Sequence, residues 1–102
     1  MAKLMAMYKR PADPAAFDRY YYATHVPIAK RIPGLRDYEV TAGPVSTLEG
    51  PAPYHRIALL TFDSLAAIQA ALGSPEGQAT AADLPNFATG GVDLFIADTK
   101  TI

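Results

Sequence analysis

Histidine and tyrosine are the main side chains in this sequence that could carry chemistry. The chain has no cysteine, which excludes disulfides, thiolate zinc sites, iron–sulfur clusters and cysteine nucleophiles. It also shows no Ser-His-Asp spacing, phosphate-binding glycine loop or pair of catalytic carboxylates. A neutral imidazole near pH 7 can act as a general base or bind a ligand. An active site would therefore have to be built around histidine and tyrosine.

His25 is the stronger of the two histidine candidates. It stands at the edge of a helical apolar stripe, close to Tyr21 and two residues before Pro27. Burial there would lower its pKa, because a charged imidazolium is costly among apolar groups. Two interpretations of its position are equally good. It is a site residue, or it is a core histidine satisfied by a carbonyl, such as one left free by Pro27.

His55 opens a strand beside Arg56, near a loop. This position favours a solvent-facing strand end. One isolated histidine does not provide the three protein ligands of a catalytic zinc site, so the sequence predicts no metal.

Several aromatic residues could enclose a ligand. Tyrosine is preferred where an apolar pocket needs a polar group. Tyr8 lies near the end of the first predicted strand and Tyr38 lies early in the second, so both could line a cleft beneath the first helix. Plain packing in the core is the competing explanation for each of them.

Composition bounds the other function classes. The chain has 102 residues, of which 50% are hydrophobic, and a formal net charge of −1. This length predicts one domain, residues 1–102. The nearly neutral charge argues against nucleic-acid binding. No segment has the apolar length of a membrane span, and the first residues lack a signal-peptide core. We expect a cytoplasmic globular domain that does not bind membranes.

Apolar periodicity, proline and glycine divide the chain into strands and helices. Pro27 interrupts the first helix, which must kink or restart there. In chain order, the predicted elements are a strand over 2–9, a helix from Pro14, a strand over 35–47, a strand over 54–62, helices after Ser64 and Ser74, and a strand over 92–97. This β-α-β-β-α-β order predicts an α+β, ferredoxin-like fold with a four-stranded antiparallel sheet and helices on one face.

In the first and third of these strands, both the odd and the even positions are mostly apolar. These strands are therefore predicted to be buried on both faces of the sheet. Helices on one side can cover only one sheet face. The other face would be a large apolar surface that needs a cover. A second copy related by a two-fold axis is the simplest cover, so the sequence predicts a homodimer through the sheet face. A blurred alternation of Ala and Met is the alternative explanation.

Several segments together resemble the EthD family, first linked to ethyl tert-butyl ether degradation. The similarity covers nearly the whole chain, and one departure is Ile28, where the family more often has Leu. The matching segments are Tyr8-Lys9-Arg10-Pro11, Tyr21-Tyr22-Ala23-Thr24-His25-Val26-Pro27-Ile28-Ala29, Ile32-Pro33-Gly34-Leu35-Arg36-Asp37-Tyr38, Phe62-Asp63-Ser64-Leu65, Ser74-Pro75-Glu76-Gly77 and Asn86-Phe87.

The resemblance implies a dimeric α/β barrel and identifies His25 with the family's recurring histidine. The family is commonly described as oxidoreductase-related, with an ether-degradation role that is accessory to a cytochrome P450 system. Similar barrels act as cofactor-free monooxygenases, isomerases, cyclases and haem enzymes. A shared fold does not select one of these reactions.

Our main hypothesis is a pocket for a small apolar or phenolic molecule, with His25 as the catalytic group and no cofactor. The residues predicted to orient or enclose the ligand are Tyr8, Tyr21, Tyr38, Phe62 and Phe87. One alternative is a non-catalytic binding protein that serves a neighbouring oxygenase of the cytochrome P450 type. A less favoured alternative is a haem protein with His25 as axial ligand.

Overall fold

The computed structural model describes all 102 residues. Its main sheet is antiparallel, and its strands lie in the spatial order β2 (Asp37–Val40), β5 (Tyr54–Phe62), β1 (Ala2–Lys9) and β6 (Val92–Asp98), while β3 (Ser46–Thr47) and β4 (Gly50–Pro51) form a separate small hairpin. This is the predicted ferredoxin-like α+β architecture. The elements are β1 (Ala2–Lys9), α1 (Pro14–Tyr20), a π-helical turn (Tyr21–His25), α2 (Val26–Ala29), β2 (Asp37–Val40), β3 (Ser46–Thr47), β4 (Gly50–Pro51), β5 (Tyr54–Phe62), α3 (Leu65–Gly73), α4 (Pro75–Asp83), a 3₁₀ turn (Leu84–Asn86) and β6 (Val92–Asp98).

Burial alternates along β1, which separates the two faces of the sheet. Leu4, Ala6 and Tyr8 are buried on the helix side, whereas Met5 and Met7 on the opposite side are only half-buried. The expectation that this strand is buried on both faces is therefore wrong for a single protomer. Its second face is apolar, but no element of the same chain covers it.

The second predicted strand is much shorter than the range 35–47. Regular pairing with β5 covers only Asp37–Val40 and ends near Thr41, whose N–H still donates to the carbonyl of Ile57. Gly43 and Pro44 follow. Proline has no N–H to continue a strand ladder, so the chain leaves the sheet and forms the β3–β4 hairpin instead.

The first helical region restarts before Pro27, as predicted. Asp13 caps α1 by accepting a hydrogen bond from the N–H of Ala16. The helix then widens into a π-helical turn in which the N–H of Val26 donates to the carbonyl of Tyr21. Such wide turns are rare and occur often at functional sites. This turn ends at His25 and presents it, with Tyr21, to the interior.

The second helical region also follows the sequence pattern. The Ser64 hydroxyl caps α3 and the Ser74 hydroxyl caps α4, each by accepting a backbone hydrogen bond. Both helices have nine residues, and no helix in the structure is long and apolar enough to cross a membrane. The end of α4 and the 3₁₀ turn lie close to the π-helical turn, which brings their polar side chains to His25.

Candidate active site

His25 is buried and hydrogen-bonded to a carboxylate from the other helical region. Only 2% of the residue is exposed. Its Nδ1 lies 2.9 Å from Oδ2 of Asp83, the last residue of α4. The partner of this histidine is a carboxylate and not the carbonyl considered from sequence. The structure shows a buried histidine–carboxylate pair joining residues that are 58 positions apart.

Two neutral donors hold the other carboxylate oxygen of Asp83. The hydroxyl of Tyr20 donates to Oδ1 at 2.6 Å, and the side-chain amide of Asn86 donates to the same oxygen at 2.9 Å. Burial alone would raise the pKa of Asp83. The hydrogen bonds from Tyr20, Asn86 and His25 outweigh burial and hold the pKa below its ordinary value, so the carboxylate is ionised at neutral pH.

This ionised carboxylate fixes the tautomer of His25. A carboxylate without a proton is only an acceptor, so Nδ1 must carry the hydrogen. Burial lowers the pKa of His25, and the bond to Asp83 opposes this only in part, which leaves the ring neutral near pH 7. The lone pair is then on Nε2, the nitrogen that has no protein partner.

An apolar cavity of about 340 Å³ lies between the helix-covered face of the sheet and the helices, and His25 lines it. Its size is at the lower end for small-molecule sites. Leu72, Leu94 and Ile96 are partly exposed and mark its open side. The lining residues are Leu4, Ala6, Tyr8, His25, Ala29, Ile32, Tyr38, Ala58, Leu60, Leu72, Gly77, Thr80, Ala81, Leu84, Leu94 and Ile96.

Three predicted tyrosines lie at or behind this cavity. Tyr8 and Tyr38 line it, whereas Tyr21 lies behind it with its hydroxyl 2.6 Å from that of Tyr38. Burial raises the pKa of all three, and the neighbouring Tyr38 hydroxyl adds to the rise for Tyr8 and Tyr21. Each phenol therefore keeps its proton at neutral pH.

Phe62 and Phe87 are buried in the core but do not line the cavity. The ring of Phe87 lies against His25, with 4.5 Å between the ring centroids. It also contacts the rings of Tyr8 and Tyr21. Phe87 thus fixes the imidazole from the side, and the cavity wall is formed by aliphatic side chains instead.

His55 is not the solvent-facing residue expected from its position. Its Nε2 lies 2.9 Å from Oδ1 of Asp18, and Arg56 binds the other oxygen of that carboxylate at 3.2 Å. The imidazole also packs edge-on against Phe17. No cluster of three His, Cys, Asp or Glu side chains able to hold a metal ion is present.

Sequence reasoning missed Asp83, Tyr20 and Asn86. Asp83 stands three residues after Thr80 in α4, a spacing that places two side chains on one helix face. Thr80 lines the cavity and Asp83 is buried. This shared spacing was the available signal that the acid points inward.

Comparison with known proteins identifies the family of the chain. The family model for the EthD domain matches residues 9–91. This protein belongs to the EthD family. An uncharacterised 11.0 kDa protein of Rhodococcus erythropolis, encoded in the thcB–thcC intergenic region, is 42% identical over all of this chain and 98% of its own length. An EthD family protein of Bacillus halodurans is 35% identical, with a TM-score of 0.90 over 98% of this chain and 99% of that one.

More distant structures show that the fold is shared beyond the EthD family. SnoaB of Streptomyces nogalater, described as a cofactor-independent oxygenase, is 14% identical, with a TM-score of 0.68 over 99% of this chain and 94% of that one. A dimeric ferredoxin-like protein of a Jannaschia species is 20% identical, with a TM-score of 0.64 over 96% of this chain and 97% of that one. At these identities the similarity concerns the fold alone.

Proposed function

We propose that this EthD protein binds a small apolar or phenolic metabolite in the cavity and that His25 takes a proton from it. The observation that supports this most strongly is the pair of His25 and Asp83, in which Nδ1 is bound to the carboxylate and Nε2 is left to the cavity. A histidine kept neutral and oriented in this way is suited to general-base catalysis.

The chemical step is a proton transfer from a ligand O–H or acidic C–H group to Nε2. The bonding electrons stay on the ligand as an anion, and the imidazolium formed is stabilised by the ionised Asp83. An electron-rich anion can react with O₂, and the fold shared with a cofactor-independent oxygenase makes oxygenation the first reaction class to test. Isomerisation and cyclisation begin with the same proton transfer.

4-Nitrophenol provides a direct test because its phenolate absorbs at longer wavelength than its phenol. We expect the wild-type protein to bind the probe and to increase the phenolate absorption at a pH where the free probe is mostly neutral. His25→Gln should bind the probe but leave it neutral. Equal phenolate absorption in both proteins would contradict the role of His25. Tyr22→Phe, an exposed position, is the matched control.

A binding role without turnover is the second candidate. The relative from Rhodococcus erythropolis is encoded between thcB and thcC, which suits a function connected with neighbouring gene products. The partner that we propose, from the family resemblance alone, is an oxygenase of the cytochrome P450 type. Oxygen uptake distinguishes the candidates. Repeated turnover of a hydroquinone by the purified protein, lost in His25→Gln, supports catalysis. Tight binding with no uptake supports the accessory role.

A haem is a poorer fit to this cavity. The histidine itself would suit an axial ligand, because Nε2 of His25 is free and its Nδ1 is held by a carboxylate. The size of the cavity is what argues against haem. The cavity of about 340 Å³ suits a compact ligand, and a porphyrin ring is large among cofactors. We expect no Soret band after the purified protein is mixed with haem, and a stable Soret band that is lost in His25→Ala would overturn this expectation.

We also propose that two copies pack through the uncovered sheet face, which gives a homodimer. Met5 pairs with Leu59 on one side and with Phe95 on the other, while Met7 pairs with Ile57, so their side chains form a continuous apolar surface. The related fold from Jannaschia is described as dimeric. Light scattering should show a dimer that Leu59→Glu dissociates. Leu48→Glu, at a fully exposed hairpin position, should leave it intact.

A further inference from the structure

Tyr8 has a hydroxyl that no protein group uses. The residue is only 2% exposed, and its ring contacts Phe17, Tyr21 and Phe87. Its hydroxyl makes no hydrogen bond to the protein, yet this oxygen is not fully enclosed, and Tyr8 lines the cavity. Buried polar groups normally have a partner, so a ligand or water in the cavity must supply this one.

Tyr38 presents a second hydroxyl proton to the same cavity. The Tyr21 hydroxyl is fully buried and has Tyr38 as its one protein partner, at 2.6 Å. If Tyr21 accepted that hydrogen bond, its own proton would be buried without an acceptor, at a considerable cost. Tyr21 is therefore the donor. The proton of Tyr38 is left without a protein acceptor, and Tyr38 lines the cavity.

We infer that the ligand carries an acceptor oxygen, such as a carbonyl, that the hydroxyls of Tyr8 and Tyr38 bind, in addition to the acidic hydrogen that His25 takes. The cavity then holds an aromatic or enolic hydroxy-carbonyl compound. This inference rests on the proposed function. Tyr8 and Tyr38 are binding residues, and Tyr21 is a positioning residue that orients Tyr38.

The geometry also explains how this ligand class suits proton transfer. When His25 removes the proton, negative charge spreads through the conjugated ring to the carbonyl oxygen. Donors already aimed at that oxygen stabilise the anion as it forms. A simple phenol would leave the two tyrosine protons without an acceptor in a largely apolar cavity, and such sites discriminate strongly against ligands that lack the acceptor.

The test compares 4-hydroxybenzaldehyde with p-cresol, which offers the same phenol to His25 but no carbonyl. Binding is measured by calorimetry. We expect the wild-type protein to prefer the aldehyde, and Tyr8→Phe to weaken aldehyde binding by about three- to tenfold while leaving p-cresol unchanged. Tyr8→Phe removes only a hydroxyl that makes no hydrogen bond to the protein, so a merely structural role predicts no change. Tyr22→Phe is the control.

The infrared carbonyl stretch of the bound aldehyde provides a second readout. A hydrogen-bonded carbonyl absorbs at lower frequency, and Tyr8→Phe and Tyr38→Phe should each shift the band upward. Tyr21→Phe should reduce aldehyde affinity by about twofold or less. An increase in aldehyde affinity in Tyr21→Phe would mean that Tyr38 donates its proton to Tyr21 in the wild type. That result would overturn the assigned direction of the Tyr21–Tyr38 hydrogen bond.

The outcomes separate this inference from the proposed function. If aldehyde and cresol bind equally well, Tyr8→Phe has no effect and His25→Gln still blocks ionisation of 4-nitrophenol, the inference is wrong and the proposed function stands. If neither compound binds the wild-type protein, both are wrong.

Discussion

Two histidine–carboxylate pairs in this protein have the same contact distance but different surroundings. The separation is 2.9 Å both for His25 with Asp83 and for His55 with Asp18. The Asp83 side chain is 7% exposed and that of Asp18 is 31% exposed. The contact distance therefore does not distinguish a candidate active site from an ordinary ion-paired histidine.

The other partners of each carboxylate make the difference. Asp18 also binds the guanidinium of Arg56, so its charge is already compensated. Asp83 has only neutral donors besides His25, namely Tyr20 and Asn86. A proton taken up by His25 is thus the one positive charge next to a buried carboxylate, an arrangement that suits a general base.

The largest expected effect is on stability. Asp83→Ala leaves His25, Tyr20 and Asn86 without their acceptor, and His25 is buried, so it should lower the free energy of unfolding by about 2–4 kcal/mol. Asp18→Ala removes a more exposed pair and should cost about 1 kcal/mol. Urea unfolding measures both values. Equal losses would show that the two pairs are equivalent and would break the comparison.

The next effect is the pH dependence of stability. The pKa of His25 is lowered in the folded protein, so the unfolded chain binds its proton more readily. Stability contributed by the neutral ring is present above about pH 6.5 and is lost as the pH falls below it, at no more than about 1.4 kcal/mol per pH unit. His25→Gln should lack this loss. The free energy of unfolding is measured from pH 7 to pH 5. If it falls equally with pH in the wild type and in His25→Gln, the prediction is contradicted.

The smallest expected effect concerns one hydrogen bond to the buried carboxylate. Tyr20→Phe removes the donor at 2.6 Å from Asp83 and should cost about 1 kcal/mol in thermal unfolding. It should also raise the pKa of Asp83 toward its ordinary value. Tyr22→Phe should leave stability unchanged. A Tyr20 variant as stable as the wild type would show that the other two donors satisfy the carboxylate alone.

Local patterns were sufficient for most of the fold. The structure confirms the helices predicted from Pro14, after Ser64 and after Ser74, and the restart of the first helix near Pro27. Each of these signals acts within a few residues of the chain. The strand predicted over 35–47 was too long. Its pairing with β5 ends near Thr41, and Pro44 has no N–H with which to continue the ladder. How far two strands pair depends on both of them, so the pattern of one strand did not show it.

The candidate site was only partly predictable. His25 was found because its residue type and position are distinctive. Asp83 was missed because it lies 58 residues away in a helix rich in alanine, where an acid usually faces solvent. The direction of the Tyr21–Tyr38 hydrogen bond depends on burial and on the absence of another acceptor, and no sequence pattern contains that information.

The protonation state of His25 tests the central claim most directly. Nitrogen NMR of ¹⁵N-histidine-labelled protein at pH 7 distinguishes a protonated from an unprotonated ring nitrogen. We predict that His25 is neutral with the proton on Nδ1, and that Asp83→Asn disturbs this pattern while Asp18→Asn does not. An imidazolium, or a neutral ring with the proton on Nε2, would contradict the role of His25 as the base of the cavity.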